Sequence, residues 1–314
     1  MEFFKQHTKI DFMGLRRYTA FISVLLCGAC VVSLFVKGLN FALDFTGGTQ
    51  IEVRFEQPAD VDAIRHTLET HGFKNAKVQT VDALTDVMIR VHAEDESTGG
   101  EGEVALGAKI KDLFTQNQQN VEIKRIEFVG SEVGNELVEQ GGLALLIAIL
   151  ATMLYIALRF EWRLAVSAAL ALLHDPILIL GIFSVTQIEF DLPTLAALLA
   201  MIGYSLNDTI VVFDRLREVF RAGRKLTAIQ AMNQSINSTL SRTVMTSGST
   251  LLVVIALLVH GGSALFGFSL ALCIGIIVGT YSSIYVAGAL AVSLKLERKH
   301  LLIQGVKTEA EGRP

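Results

Sequence analysis

Six apolar runs, each long enough to cross the hydrocarbon core of a bilayer, dominate this chain and leave one long polar interval between the first and the second. They lie at Tyr18–Val36, Gly141–Leu158, Leu164–Val185, Leu192–Phe213, Thr243–Val259 and Leu265–Leu294. In hydrocarbon every backbone N–H and C=O must be paired within its own segment, so these runs are predicted to be helices. The last exceeds one span and is expected to tilt or extend beyond the bilayer. Composition agrees: 51% of residues are hydrophobic, 18% are charged and mean hydropathy is +0.49, which excludes an ordinary soluble domain. The net charge of -4 decides nothing, because its distribution matters more than its sum. Cys27, Cys30 and Cys273 all lie in apolar stretches, where a thiol is inert, so the C-x-x-C of the first span is not a redox motif.

Basic residues set the orientation. Lys5, Lys9, Arg16 and Arg17 precede the first run, which is too long for a signal-peptide core and has no small-residue cleavage site after it. Arg159 and Arg163 lie in one connection, Arg215, Arg217, Arg221, Arg224 and Lys225 crowd another, and Lys295, Arg298 and Lys299 follow the last run. The alternate connections, Gln187–Asp191 and His260–Ala264, carry no Lys or Arg. The positive-inside rule therefore predicts an inner-membrane protein with both termini cytoplasmic and the polar interval periplasmic. The expected division is a cytoplasmic N-terminus at 1–17, a first span at 18–37, a periplasmic domain at 38–137, five spans at 138–294 and a cytoplasmic tail at 295–314.

Within the polar interval the periodicity changes. Thr49–Phe55 alternates apolar and polar residues, as a half-buried strand does. Ala59–His71 places Val61, Ile64 and Leu68 on one helical face, between Pro58 and Gly72. Ala76–Val81 and Val87–Ala93 are further strands, and Glu94–Glu103 is a Gly- and Glu-rich loop. A second helix near Val104–Gln116 and a last strand at Val121–Val129 follow. The order β-α-β-β-α-β predicts a small ferredoxin-like α+β domain. It has no basic stripe, which argues against nucleic acid as a partner.

Charges inside the apolar runs are the candidate functional residues, because an ionised group there costs about 2.5–3.5 kcal/mol on insertion scales and needs a partner or water. Asp175 lies near the middle of the third run, Asp208 lies within the fourth, and Arg242 stands at the near end of the fifth. Antiparallel fourth and fifth helices would bring Asp208 and Arg242 to similar depths. Burial favours the neutral carboxyl and a guanidinium favours the charged one, so a proton could make or break that pair. A static salt bridge is the plainer alternative. His174-Asp175-Pro176 reads equally as a proton relay or as a kink, since Pro176 frees a carbonyl. Asp214 sits at the membrane edge, where an anchoring charge is inexpensive. Gly275 and Gly279 form a G-x-x-x-G packing face on the last helix. Asp44-Phe45-Thr46-Gly47-Gly48-Thr49 lacks the length and Lys of a nucleotide loop and predicts a tight turn into the first strand.

Together these segments resemble the SecD/SecF family of protein-export membrane proteins, within the resistance–nodulation–division superfamily. The resemblance rests on Asp44–Thr49 (D-F-T-G-G-T), Val129–Leu137 (V-G-S-E-V-G-N-E-L) and the His174-Asp175 pair. It rests further on Gly203–Glu218 (G-Y-S-L-N-D-T-I-V-V-F-D-R-L-R-E), Ser241–Thr243 with Ser247, and Gly279–Ile284 (G-T-Y-S-S-I). It spans nearly the whole chain, and the fourth-helix motif with Gly203 and Asn207 is its most specific part. The resemblance implies six helices that pair with six matching helices of SecD in a pseudosymmetric bundle. It implies action beside the SecYEG translocon, with YajC and YidC as accessory partners, in which the proton-motive force helps translocating polypeptides complete their export. It assigns proton passage to Asp208 and Arg242, with lesser roles for Asp175 and Asp214, and leaves one carboxylate of the path to SecD. It implies no cofactor, no metal and no enzymatic activity.

Two other classes compete. A proton-coupled small-molecule efflux pump of the same superfamily needs about twice this many helices. An intramembrane aspartyl protease built on Asp175 and Asp208 would carry Y-D and G-x-G-D motifs, and Tyr204 with Asp208 fits neither.

Overall fold

The structure is a computed structural model that describes residues 8–73, 76–81, 83–91, 103–116, 121–223, 226–298 and 300–301. Lys5, most of the 94–103 loop, Arg224, Lys225, Lys299 and the tail from 302 lie outside the described residues.

Among the described residues, six helical units have the length and apolarity to cross a membrane, so the chain is a multi-pass membrane protein. The first is α1 (Arg16–Val36). A short strand β1 (Asn40–Phe41) and a one-turn helix α2 (Leu43–Thr46) lead into the extramembrane domain. That domain comprises β2 (Gly48–Phe55), α3 (Val61–Thr70), β3 (Lys77–Val81), β4 (Ala83–Val91), α4 (Glu103–Gln116) and β5 (Val121–Val129). The chain then stays in the bundle through α5 (Ser131–Arg159), α6 (Trp162–Thr186), a short strand β6 (Glu189–Phe190), α7 (Leu192–Ala222) and α8 (Ala228–His260). The last unit is α9 (Ser263–Tyr281), a π-helical segment Ser282–Ala287 and α10 (Gly288–Ser293).

The domain is one antiparallel sheet of order β3-β4-β2-β5. Strand alternation sends Ile51, Val53, Phe55, Val87, Ile89 and Val91 to one face. There they meet Ile64 and Leu68 of α3 and Ile110, Leu113 and Phe114 of α4 in a closed apolar core. Asp60 starts α3 by accepting the N–H groups of Asp62 and Ala63. The opposite face is polar. On it Arg54 (2.8 and 3.0 Å) and Lys124 (2.6 Å) donate to Asp86 and hold its carboxyl well below the ordinary carboxylate range.

In the bundle, 61% of the spanning window of α6 and 50% of that of α7 is buried, against 17%, 11% and 17% for α1, α5 and α8. The two helices that carry Asp175 and Asp208 are therefore central, and the others leave wide apolar faces open.

Several helices outrun their apolar runs. α5 begins at Ser131, within the expected domain, and α7 continues past Phe213 to Ala222. α8 begins at Ala228 rather than Thr243, because a Thr227–Gln230 capping box starts it and Ala231, Met232 and Ile236 bury one face while the other stays polar. The overlong last run is a span interrupted by a π segment, a device that recurs at functional sites.

Candidate functional site

Asp175 and Asp208 occupy a polar seam between α6, α7, α8 and the last span. Asp175 is fully partnered. The His174 Nδ1–H donates to its Oδ1 (2.9 Å), and the Ser205 hydroxyl from α7 and the Ser282 hydroxyl from the π segment (2.9 Å) donate to Oδ2. Pro176 lies next to it inside α6. The His174 ring stacks on Tyr281, with centroids 6.2 Å apart, and its buried Nε2 has no partner among the described residues. Tyr281 in turn donates its hydroxyl to the Thr19 carbonyl (2.9 Å) and lies 2.9 Å from the Ser23 hydroxyl, which joins α1 to the seam.

Asp208 is only 4% exposed, yet its Oδ2 has no hydrogen-bond partner among the described residues. Ser205, on Asp175, is three residues before it on the same helix. The Ser247 hydroxyl of α8 is its near polar neighbour, and the Arg242 guanidinium acts on it from further off. Ser247 also lies 2.9 Å from the Thr280 hydroxyl and receives the Tyr204 hydroxyl at 3.5 Å.

Asp208 is thus level with Ser247 rather than Arg242. Five helical residues separate those two along α8, about 7.5 Å of axis. Arg242 is exposed and, among the described residues, has no carboxylate within the 4.0 Å of an ion pair. The static Asp208–Arg242 bridge is therefore absent, and the guanidinium stands on an open face of α8.

The remaining candidates lie apart from the seam. Asp214 receives both bonds of Arg159 (2.9 Å each) and faces Arg217 (3.5 Å), while both arginines lie over Phe160, where α5 ends beside α7. Gly279 lies against α7, where an added Cβ would come 3.0 Å from that of Ser205. Gly203 and Asn207 are exposed on α7. Asp44 accepts the Leu192 N–H (2.9 Å) at the start of α7. Gly47 (φ 67°) and Gly48 (φ 120°) then turn the chain into β2 in backbone conformations that favour glycine. The predicted tight turn is a one-turn helix closed by those glycines.

Ser282 and the π segment escaped the residue-by-residue reading. The signal was a hydroxyl pair, Ser282-Ser283, in an otherwise apolar helix, which marks a turn that must meet polar neighbours. Chemically, the seam supplies one carboxylate fixed by three donors and one with an open lone pair beside a row of hydroxyls, as a proton acceptor in a dry interior requires. No group of three or more His, Cys, Asp or Glu that could hold a metal ion occurs among the described residues.

Comparison with known proteins places this arrangement. Residues 109–297 match the family described as protein export membrane protein SecD/SecF, C-terminal, and residues 32–59 match the SecD/SecF GG motif. The chain is 50% identical over 306 residues to protein translocase subunit SecF of Vibrio alginolyticus, covering 97% of this chain and 96% of that protein. It is 45% identical over 305 residues to the SecF subunit of Escherichia coli O157:H7, covering 97% and 94%. The crystal structure of SecDF from Thermus thermophilus superposes with a TM-score of 0.81 at 39% identity, over 92% of this chain and 39% of that longer one. The chain therefore belongs to the SecD/SecF family of protein-export membrane proteins.

Proposed function

We propose that this protein is a subunit of a proton-driven accessory complex of the Sec translocon. In this reading it sits in the inner membrane with both termini in the cytoplasm and the α+β domain in the periplasm, and it promotes late steps of export rather than acting as an enzyme. The observation that carries the proposal is Asp208: a buried carboxylate with one open oxygen, beside the Ser247–Thr280 hydroxyls and within the influence of Arg242. Its open oxygen offers a proton a place beside that row of hydroxyls. Asp175, held by three donors, serves as the anchor of the seam, and Asp214 as a membrane-edge clamp.

A partner completes the path. The chain spans 39% of the SecDF chain it superposes on, so SecD is the natural counterpart. Ala196, Ala200, Gly203 and Asn207 form an exposed stripe on α7, and on α8 Val244 and Met245 near Arg242 and Leu252 and Val253 further along are exposed. Small residues let a second helix approach closely, which supports α7 and α8 as the face that meets SecD. SecYEG and translocating polypeptides, with YajC and YidC as accessories, are the further partners of the proposal.

Separate Asp208→Asn and Arg242→Met variants, each assembled with SecD, test it through export into membrane vesicles with and without an imposed proton gradient. Each is expected to abolish the gradient-dependent part of export, and normal stimulation in both would remove the proposal.

A further inference from the structure

The turn between α6 and α7 is bound to the extramembrane domain more tightly than a connection needs to be. β6 pairs in parallel with β1, Asn40 with Glu189 and Phe41 with Phe190. The Ala42 N–H donates to the Phe190 carbonyl (3.0 Å), and Asn40 Nδ2 donates to the Gln187 carbonyl (2.9 Å). Asp44 takes the Leu192 N–H, a group that the start of α7 would otherwise leave unpaired. Beneath these bonds Phe190 packs against the rings of Phe41, Phe45 and Phe183.

Arg90 ties the same turn to the sheet. From β4 its Nη2 donates to Glu189 Oε2 (2.8 Å) and to Gln50 Oε1 (2.9 Å), and Gln79 donates to Glu189 Oε1 at 3.4 Å. The Arg90 side chain is only 4% exposed, and its Nε and Nη1 have no partner among the described residues. This seat leaves those donors unmet, a cost that the bonds to Glu189 and Gln50 must offset. It borders a cavity of about 820 Å³ between the polar sheet face and the end of the bundle, which Glu52 and Glu127 also line. Gln50, which accepts from Arg90, donates to Glu127 at 3.2 Å, so a second carboxylate is already connected to it.

The helices on either side of this turn carry Asp175 and Asp208. Close-packed helices move as bodies rather than compress, so a displacement at Leu192 reaches Asp208, about 24 Å along α7. We propose that the Arg90–Glu189 pair is a latch through which the extramembrane domain and helices α6 and α7 set each other's position. Seated on Glu189, Arg90 holds the domain on the turn. Released from Glu189, it frees the turn while keeping its bond to Gln50, which links it to Glu127, itself paired with Arg125. Arg90 and Glu189 are thus positioning residues that act through α6 and α7, and the inference rests on the reading of Asp208 as the proton site.

The test uses the full chain assembled with its partner subunits in membrane vesicles. Arg90→Glu, Glu189→Arg and the double exchange are compared at equal amounts of complex. Hydrogen exchange is read at the Ala42 and Leu192 amides, and export is measured with and without a proton gradient. Each single variant is expected to raise exchange at those amides about ten-fold and to lose most of the gradient stimulation, while the double exchange restores both. Asp208→Asn is expected to lose the stimulation with exchange unchanged, a pattern that faster turn opening alone does not produce. Wild-type stimulation in the single variants overturns the latch, as does a fully assembled double variant as impaired as either single. Wild-type stimulation in Asp208→Asn removes the proton reading itself, and so overturns the latch by a separate and recognisable route.

Discussion

Three aspartates show how environment separates residues of one type. Asp86 lies on a polar sheet face, bonded by Arg54 and Lys124, and its carboxyl is held below its ordinary 3.8. A group whose folded value is depressed contributes stability above its unfolded value and loses that contribution as pH falls through and below it. The domain is therefore expected to weaken as pH drops below about 3.8, and Asp86→Asn should lower its stability at neutral pH and flatten the acid limb. Thermal melts across pH would check both. Asp175 accepts donors from two neighbouring helices as well as from His174. Asp175→Asn is the same size but turns one acceptor atom into a donor that faces other donors. The expected loss is about 1–3 kcal/mol in the melting of the purified complex. Asp208 differs from both in keeping an oxygen open. Its candidacy was legible in the sequence because a carboxylate in an apolar run is conspicuous. Its true neighbour was not, because which hydroxyl of α8 lies level with it depends on helix register, and the apolar pattern leaves that free.

At the scale of elements, the sequence announced every span but not where the spans end. Apolarity stops at the membrane, whereas a helix continues for as long as its backbone is paired and one face is buried. α8 shows this: the stretch from Ala228 to Arg242 is held by the Thr227–Gln230 box and by Ala231, Met232 and Ile236. Thr227→Ala should destabilise that extension by about 1 kcal/mol, measurable as faster hydrogen exchange over its first two turns. The strands β1 and β6 were invisible because two-residue strands have no periodicity and their partners are distant in the chain. The packing of α5 on α2 was equally hidden. An added Cβ on Gly134 would lie 2.9 Å from the Gly47 nitrogen and 3.0 Å from the Phe45 carbonyl oxygen, and backbone cannot step aside as a side chain can. Gly134→Ala is expected to cost about 1–3 kcal/mol and to lower the melting temperature of the complex.

As a whole molecule, the chain resembles a half whose inner surface is missing its counterpart. α6 is the most enclosed by the chain's own helices, α7 is half-buried with one exposed stripe, and α1, α5 and α8 leave wide faces open; on α8, Arg242 has no carboxylate partner among the described residues. An exposed apolar face on α8 with a cation at its near end suits a neighbouring helix that supplies a carboxylate, and the SecDF chain on which this one superposes is longer, this chain covering 39% of it. Through the Arg90–Glu189 pair the extramembrane domain touches the turn from which α7 runs to Asp208. The central claim is that a proton on Asp208 drives export. It is tested most directly by measuring, in vesicles containing the assembled complex, how much an imposed proton gradient accelerates the release of an exported chain, for the native protein and for Asp208→Asn. The account predicts strong acceleration in the first and none in the second, with equal amounts of complex. Equal acceleration in both would contradict it.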